Sequence, residues 1–328
     1  VSRRALAAAA ALAAAAALAW AILLPGEPVS VEVPEHLTAR QTAELLGRKR
    51  VVASVFGFRV LLKVSGLDRR LKPGFYRLRV HEWPFTTARK LALGETDEVK
   101  VVIPEGWRAS QISERLAAAG VADQKEFDAL VASRRLEGKL FPATYHFPPG
   151  YGAERAAARM TEEFDKTVAP VYAASRPKPA LSLDEALVLA SIVEREAMLA
   201  AERPMIAAVY LNRLKKRMPL QADPTVQYAL GYWKKGLTRD DLKAPSPFNT
   251  YLRQGLPPGP ICSPGLESFA AVLAPADTRA LYFVADMTGG HVFSETNEEQ
   301  NAARLQYKRE LRAEKERLKR EQPAPNPR

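Results

Sequence analysis

A single cysteine, Cys262, stands in 328 residues. One thiol cannot close an intramolecular disulfide or build a cysteine-based zinc site. Histidine is nearly as scarce: His36, His81, His146 and His291 lie far apart and never at i, i+4 spacing. Neither a metal nor any other cofactor is expected from this inventory. The net charge of +11, from 48 Lys and Arg against 37 Asp and Glu, invites an anionic neighbour such as nucleic acid, anionic lipid or an acidic polymer. Much of the excess is local, in the Lys- and Arg-rich stretch that ends the chain. No recognisable nucleic-acid-binding motif accompanies it, so nucleic acid is not an expected partner.

Charge is missing altogether from Ala5 to Leu24. A helix of that length spans about 30 Å, one hydrocarbon thickness. Arg3 and Arg4 ahead of it would stay in the cytoplasm and send the rest of the chain outward. A cleaved signal peptide competes with this reading, because Ala17-Leu18-Ala19 offers an Ala-x-Ala site. The run is longer than the usual signal-peptide core, and Trp20 near its far end suits a membrane interface. Residues 1–25 are therefore expected to form an uncleaved signal-anchor, with the N-terminus in the cytoplasm and the body outside it.

The front half repeats itself. "VEVPEHLTARQTAELL" from Val31 is matched by "VVIPEGWRASQISERL" from Val101. Pro34, Glu35, Gln41, Glu44 and Leu46 return as Pro104, Glu105, Gln111, Glu114 and Leu116; with one residue dropped, Phe58 matches Phe127 and Tyr76 matches Tyr145. Such fixed-period similarity points to a duplicated unit. Each copy reads as a strand ending at Pro-Glu, a short helix capped at Thr38 or Ser110, a second short helix, and a strand in "KPGFYRLRV" or "FPATYHF". This β-α-α-β pattern resembles the LysM module, which binds N-acetylhexosamine polymers. Trp83, Trp107, Tyr76 and Tyr145 could stack on sugars or fill the cores of small domains.

The back half is mainly helical. A helix over 152–174 is followed by the linker "SRPKPALS", and Ser182 with Glu185 makes a capping box for a helix from Leu183 to about Met198. Nearly every position of that helix is apolar, which predicts burial on all sides. Inside it, "ASIVEREA" places Glu194 and Glu196 two residues apart. They point about 200° away from one another, so they cannot meet as a close pair. An unpaired buried carboxylate costs several kcal/mol or keeps its proton. A raised pKa suits a general acid. A buried ion pair with Arg195, Arg203 or Arg213 is the alternative, and periodicity does not choose between the glutamates. Proline-rich loops from 218 to 265 bring Gln221, Asp223, Thr225, Asn249 and Tyr251 as candidates for lining a groove or for local turn bonding. "ALYFVADMTGGHVFSET" reads as a hairpin turning at Gly289-Gly290, ahead of a charged helix.

Taken together, "LASIVEREA", "VYLNRL", "PLQADPTVQYALG", "NTYLRQGLPPGPICSPG" and "LYFVADMTGGHVFSET" resemble the bacterial endolytic murein transglycosylases of the MltG (YceG-like) type, across nearly the whole chain. One position departs: within "SETNEEQN" many members carry histidine where this chain has Gln300. The resemblance implies an α+β fold. It would comprise an N-terminal membrane helix (1–25), a duplicated LysM-like region (26–150), a mainly helical lysozyme-like catalytic region with a small β-hairpin (151–312), and a basic disordered tail (313–328). It implies a single-pass protein of the inner (cytoplasmic) membrane with its enzyme outside. That enzyme would cleave the MurNAc-GlcNAc bond of nascent glycan strands to 1,6-anhydro ends, with peptidoglycan strands and peptidoglycan synthases as partners. The second glutamate of the pair, Glu196, would be catalytic, and Glu194, Ser191, Gln221, Asp223, Thr225, Asn249 and Tyr251 would bind substrate or support the site. A muramidase hydrolase and a noncatalytic peptidoglycan-binding scaffold are the rival readings.

Overall fold

The computed structural model describes residues 26–232, 234 and 236–321, with side chains to 317. The expected anchor and the end of the expected tail lie outside the described residues. No described helix is long and apolar enough to cross a membrane. The chain forms two compact units, a mixture of helices and small antiparallel sheets. One takes the described residues up to Lys100 together with His146–Tyr151; the other takes Val101–Tyr145 and the described residues from Gly152 on.

In the first unit, β1 (Pro28–Val33) runs antiparallel to β2 (Gly74–Arg79), with Val31 opposite Tyr76. Alternation turns Val31 and Val33 inward. Helices α1 (Ala39–Arg48) and α2 (Val55–Val64) cover that face with Ala43, Leu46, Phe58 and Leu62. Helix α3 (Pro84–Leu93) adds Ala88 and Leu91 to the same core. Proline opens α3, where its missing N–H costs nothing. Gly94 ends it at φ 74°, a left-handed conformation that glycine adopts without strain.

The second copy of the repeat follows as β3 (Val99–Val102), α4 (Ala109–Ala118), α5 (Gln124–Arg134) and β4 (Thr144–Phe147). Its strand-helix-helix-strand order matches the first copy. The repeated residues do repeated work. The Gln41 side chain accepts the Thr38 N–H at 2.9 Å, and the Gln111 side chain accepts the Arg108 N–H at 3.0 Å. The Tyr76 hydroxyl donates to the Lys72 carbonyl at 2.8 Å and the Tyr145 hydroxyl to the Phe141 carbonyl at 2.7 Å, each four residues back. Both tyrosines are buried, so they belong to the cores and do not stack on sugars. Trp83 is exposed, while Trp107 is half-buried with the Arg115 guanidinium 5.3 Å from its ring centre. Ser110 is not the cap expected of it: the cap lies two residues earlier, at Arg108, where Gln111 meets the free N–H.

The division between the units runs through the second copy, cutting β3 after Lys100 and β4 after Tyr145. Helix α5 packs on α6 (Ala153–Ala174), and both helices of the second copy, α4 and α5, lie in the unit of the helical region. Helix α7 (Leu183–Glu196) is the centre of that unit. Ser182 Oγ accepts the Glu185 N–H at 3.3 Å and the Glu185 carboxylate accepts the Ser182 N–H at 2.8 Å, closing the capping box. Every residue from Ala186 to Val193 is buried, packed by α8 (Arg203–Lys215), α9 (Asp223–Ala229) and α10 (Leu266–Leu273).

The closing hairpin pairs β5 (Tyr282–Ala285) with β6 (His291–Ser294). Its connection is longer than a Gly289-Gly290 turn. The Asp286 carboxylate accepts the Thr288 and Gly290 N–H groups at 2.8 and 2.9 Å, so an aspartate organises the loop. Helix α11 (Asn297–Glu321) then runs past residue 312. No proline or glycine interrupts it before Pro323.

Candidate active site

The two glutamates of "ASIVEREA" have separate fates. Glu194 faces α10. Its carboxylate accepts the Gly265 N–H at 3.0 Å and the Ser268 hydroxyl at 2.7 Å, and lies 3.6 Å from an Arg203 nitrogen. It is the paired, structural carboxylate that links the end of α7 to the start of α10. Glu196 is the last residue of α7; Ala197 leaves the helix with φ −69° and ψ 113°. The break turns the Glu196 side chain into a cleft of about 580 Å³.

Around that carboxyl the surroundings are aromatic and sparsely polar. The Tyr210 hydroxyl, from α8, donates to Glu196 Oε1 at 2.8 Å. Burial pushes the Glu196 carboxyl up to about 7; the Tyr210 hydrogen bond pulls the other way, the Asp223 charge adds to the rise and the Arg213 charge offsets part of it. A carboxyl at the C-terminal end of a helix also faces the negative pole of the macrodipole, which disfavours its ionised form. No ion pair to Glu196 occurs among the described residues. Its arrangement is that of an acid poised near neutrality inside a groove.

The candidates from the loops divide. Gln221, Asp223 and Tyr251 line the cleft with Glu196. The Tyr251 hydroxyl donates to Asp223 Oδ1 at 2.5 Å, which fixes both side chains across the groove. Thr225 and Asn249 do not line it. The Thr225 hydroxyl lies 2.9 Å from that of Thr250 and donates to the Ala222 carbonyl at 2.7 Å. Asn249 donates to the Leu242 and Ala244 carbonyls at 3.0 and 2.9 Å. Both are fully buried and hold the proline-rich loops. Ser191 is also buried: its hydroxyl accepts the Ile261 N–H at 3.0 Å and clips the loop to α7.

Sequence reasoning missed Tyr210, Tyr282 and His291, all of which line the cleft. His291 Nδ1 sits 2.7 Å from Glu202 Oε2, and the His291 N–H reaches the same carboxylate at 2.8 Å. Arg213, a candidate ion-pair partner for either glutamate, donates instead to backbone carbonyls of Leu281 and Leu220 at 2.6 and 2.8 Å. The available signal was the i, i+3 spacing of Tyr210 and Arg213, which puts both on one face of α8.

A profile of the YceG-like family matches residues 31–306. The chain belongs to the YceG-like family. The Bacillus subtilis protein named endolytic murein transglycosylase is 34% identical over 311 residues, 85% of this chain and 84% of that one. A protein of the same name from Streptococcus pneumoniae (D39) is 31% identical over 313 residues, 83% of this chain and 56% of that one. The crystal structure of a yceG-like protein from Listeria monocytogenes is 34% identical and superposes with a TM-score of 0.56, over 84% of this chain and 99% of that one. Membership in the YceG-like family covers both units, so the Glu196 cleft lies within the matched region.

Tyr210 gives this YceG-like site a direct test. Its O–H bonds the ionised carboxylate, and hydrogen bonds to charged groups contribute about 1.5–3 kcal/mol. Tyr210→Phe is expected to raise the Glu196 pKa by about one unit. If Glu196 works as an acid, the alkaline limb of the rate profile then moves to higher pH. A limb that stays in place would show that Tyr210 does not govern the proton.

Proposed function

We propose that this protein is an endolytic murein transglycosylase whose catalytic acid is Glu196. The observation that carries the proposal is a half-buried, unpaired carboxyl, raised to about 7, opening on a cleft in a chain of this family. The two relatives named endolytic murein transglycosylase support it. Glu196 enters protonated and donates to the oxygen that joins N-acetylmuramic acid to N-acetylglucosamine. The C1–O bond breaks through an oxocarbenium-like state. The ionised Glu196 then takes the proton of the muramic C6 hydroxyl, and that oxygen bonds C1. One carboxyl serves twice and no water is consumed. Tyr210 orients it, while Gln221, Asp223 and Tyr251 contact the sugars.

The same proposal places residues 1–25 in the inner membrane as a single-pass anchor, supported by Arg3 and Arg4 ahead of an uncharged run. It gives the duplicated β-α-α-β region a LysM-like role in holding glycan, supported by the matching element order of the two copies. The helical region around α7 has the part of a lysozyme-like catalytic domain, and peptidoglycan synthases are its partners in strand termination.

Asp223 in the same cleft motivates the hydrolytic alternative, because a second carboxylate could activate water. Mass spectrometry of peptidoglycan digested by the full chain separates the two. Anhydro ends, lighter by one water per cut, are expected; reducing ends would replace the transglycosylase reading with a muramidase one. Intact strands would leave the scaffold.

A further inference from the structure

We infer that one face of the first unit, the outer side of α2 with Arg48–Arg50 and Trp83 beside it, docks on an anionic lipid surface. The inference rests on the reading of residues 1–25 as a membrane anchor and adds a second, independent contact with the bilayer. Phe56, Val60 and Val64 recur at i, i+4 and i+8 along α2 and stand outward; Phe56 is 74% and Val64 83% exposed. The row extends over about 12 Å of helix. The opposite side of α2, with Phe58 and Leu62, already fills the core. Trp83 is 64% exposed where α3 begins, and Phe85 follows it at the surface. Apolar side chains left in a row on a packed helix mark a contact surface.

The charge around this row has one sign. From Leu45 to Leu67 the chain carries Arg48, Lys49, Arg50, Arg59 and Lys63 and no acidic residue. All five are exposed, and none makes an ion pair among the described residues. The preceding acid, Glu44, is held by Arg40 at 2.9 Å. Hydrogen bonds tie this basic segment to the point where the chain enters the unit. The Gly26 N–H donates to the Val80 carbonyl at 2.8 Å, the Val80 N–H to the Glu27 carbonyl at 3.0 Å, and the His81 N–H to the Arg50 carbonyl at 2.9 Å. Gly47 meets Val55 so closely that a Cβ on it would collide with Val55 Cγ2, which sets the start of α2 and Phe56 beside Arg48–Arg50. The proposed anchor ends one residue before Gly26, so this corner of the unit is the one it holds at the bilayer. Lipid fits the combination better than other occupants. A sugar ring stacks on an aromatic side chain but leaves Val60 and Val64 uncovered. A second copy presenting the same face would bring like charges together. At a bilayer interface, Trp and Phe enter the headgroup layer while Lys and Arg reach the lipid phosphates.

The test uses the full chain reconstituted in vesicles, with a nitroxide on Val60→Cys. Arg77→Cys, exposed on the other face of the sheet, is the control site. The wild type is the labelling blank, because Cys262 is buried. In vesicles of phosphatidylcholine with phosphatidylglycerol at low salt, the Val60 label is expected to collide with oxygen and to be shielded from an aqueous nickel chelate, while the Arg77 label stays open to nickel. Shielding should be lost in pure phosphatidylcholine and at high salt. Arg48→Gln, Lys49→Gln and Arg50→Gln together should lower the ratio of docked to free faces by about fivefold per charge, or about a hundredfold in all. Flotation of the vesicles at high salt reads the anchor alone. A chain that floats at high salt while its Val60 label stays open to nickel in anionic vesicles at low salt overturns the docking face and leaves the anchor. A chain that floats only at low salt, with Val60 shielded, keeps the face and removes the anchor. No flotation at either salt rejects both. Equal shielding in neutral vesicles overturns the anionic surface. So does shielding in detergent when glycan strands are added or the protein is concentrated, since the occupant is then a sugar or a second copy.

Discussion

Glu196→Gln is expected to lower strand cleavage by about 10²–10⁴-fold while the protein stays folded, the range that a positioned acid and base contributes. Glutamine keeps the shape and can still accept the Tyr210 hydrogen bond, but it carries no transferable proton. The pH profile of the wild type should show the same group. Activity that needs protonated Glu196 falls about tenfold per unit once pH exceeds about 7. The stability consequence has the opposite sign from the chemical one. The folded chain holds this proton to about pH 7, while an unperturbed glutamate releases it near 4.5. Below 4.5 the group is neutral in both states and costs nothing. As pH rises from 4.5 to 7 the unfolded state gains from ionisation and the folded state does not, so stability falls by at most about 3 kcal/mol. Glu196→Gln should therefore unfold at higher temperature than the wild type at pH 8 and at the same temperature at pH 4. Thermal unfolding at the two values checks this. A variant that retains cleavage, or shows no pH-dependent gain in melting temperature, would remove Glu196 from the role of acid.

Which glutamate to choose was not legible from the helix pattern, and the reason is local. Periodicity treats "ASIVEREA" as continuing helix, and on a continuing helix both carboxylates meet packed neighbours. The backbone leaves the helix after Glu196, and that departure, which no apolar stripe announces, opens the cleft to one glutamate only. Features written in short-range chemistry were legible: the Ser182–Glu185 box, and the repeat of Gln41 with Gln111 and Tyr76 with Tyr145. Long-range positions were not. Thr225 and Asn249 have the same turn-forming character as Asp223 and Gln221, yet they point into the loop interior, because Thr250 and the carbonyls of Leu242 and Ala244 require partners there. Tyr210, Tyr282 and His291 come from a helix and a hairpin that only tertiary packing brings beside α7.

Arg213→Met is expected to destabilise the fold by about 3–5 kcal/mol, the largest effect on stability of any single change near the cleft. The arginine is buried, and backbone carbonyls solvate its charge. Nε donates to Leu281 at 2.6 Å, and Nη1 donates to Leu220 at 2.8 Å and Pro219 at 3.2 Å. The guanidinium lies 5.1 Å from the centre of the Tyr282 ring. One side chain thus ties α8 to the residue before β5 and to the segment that leads into Gln221 and Asp223. Methionine fills much of the volume, so the transfer of apolar atoms roughly cancels. What remains is a set of buried carbonyls without donors, each costing about 1–3 kcal/mol. Arg213→Lys should recover little, since one ammonium cannot present two nitrogens in the planar geometry those acceptors require. Urea unfolding should register the loss as a lower midpoint with an unchanged slope. The chemistry should respond differently from that of the Glu196 variant. Losing the Arg213 charge removes an influence that lowers the Glu196 pKa, so the acid stays protonated to higher pH and the alkaline limb shifts upward. Any fall in rate at low pH then reflects the displaced Gln221 and Asp223 wall, and it should appear in KM. A midpoint shift worth less than 1 kcal/mol, with KM unmoved, would show that the carbonyls find other donors and that the wall of the cleft does not depend on this arginine.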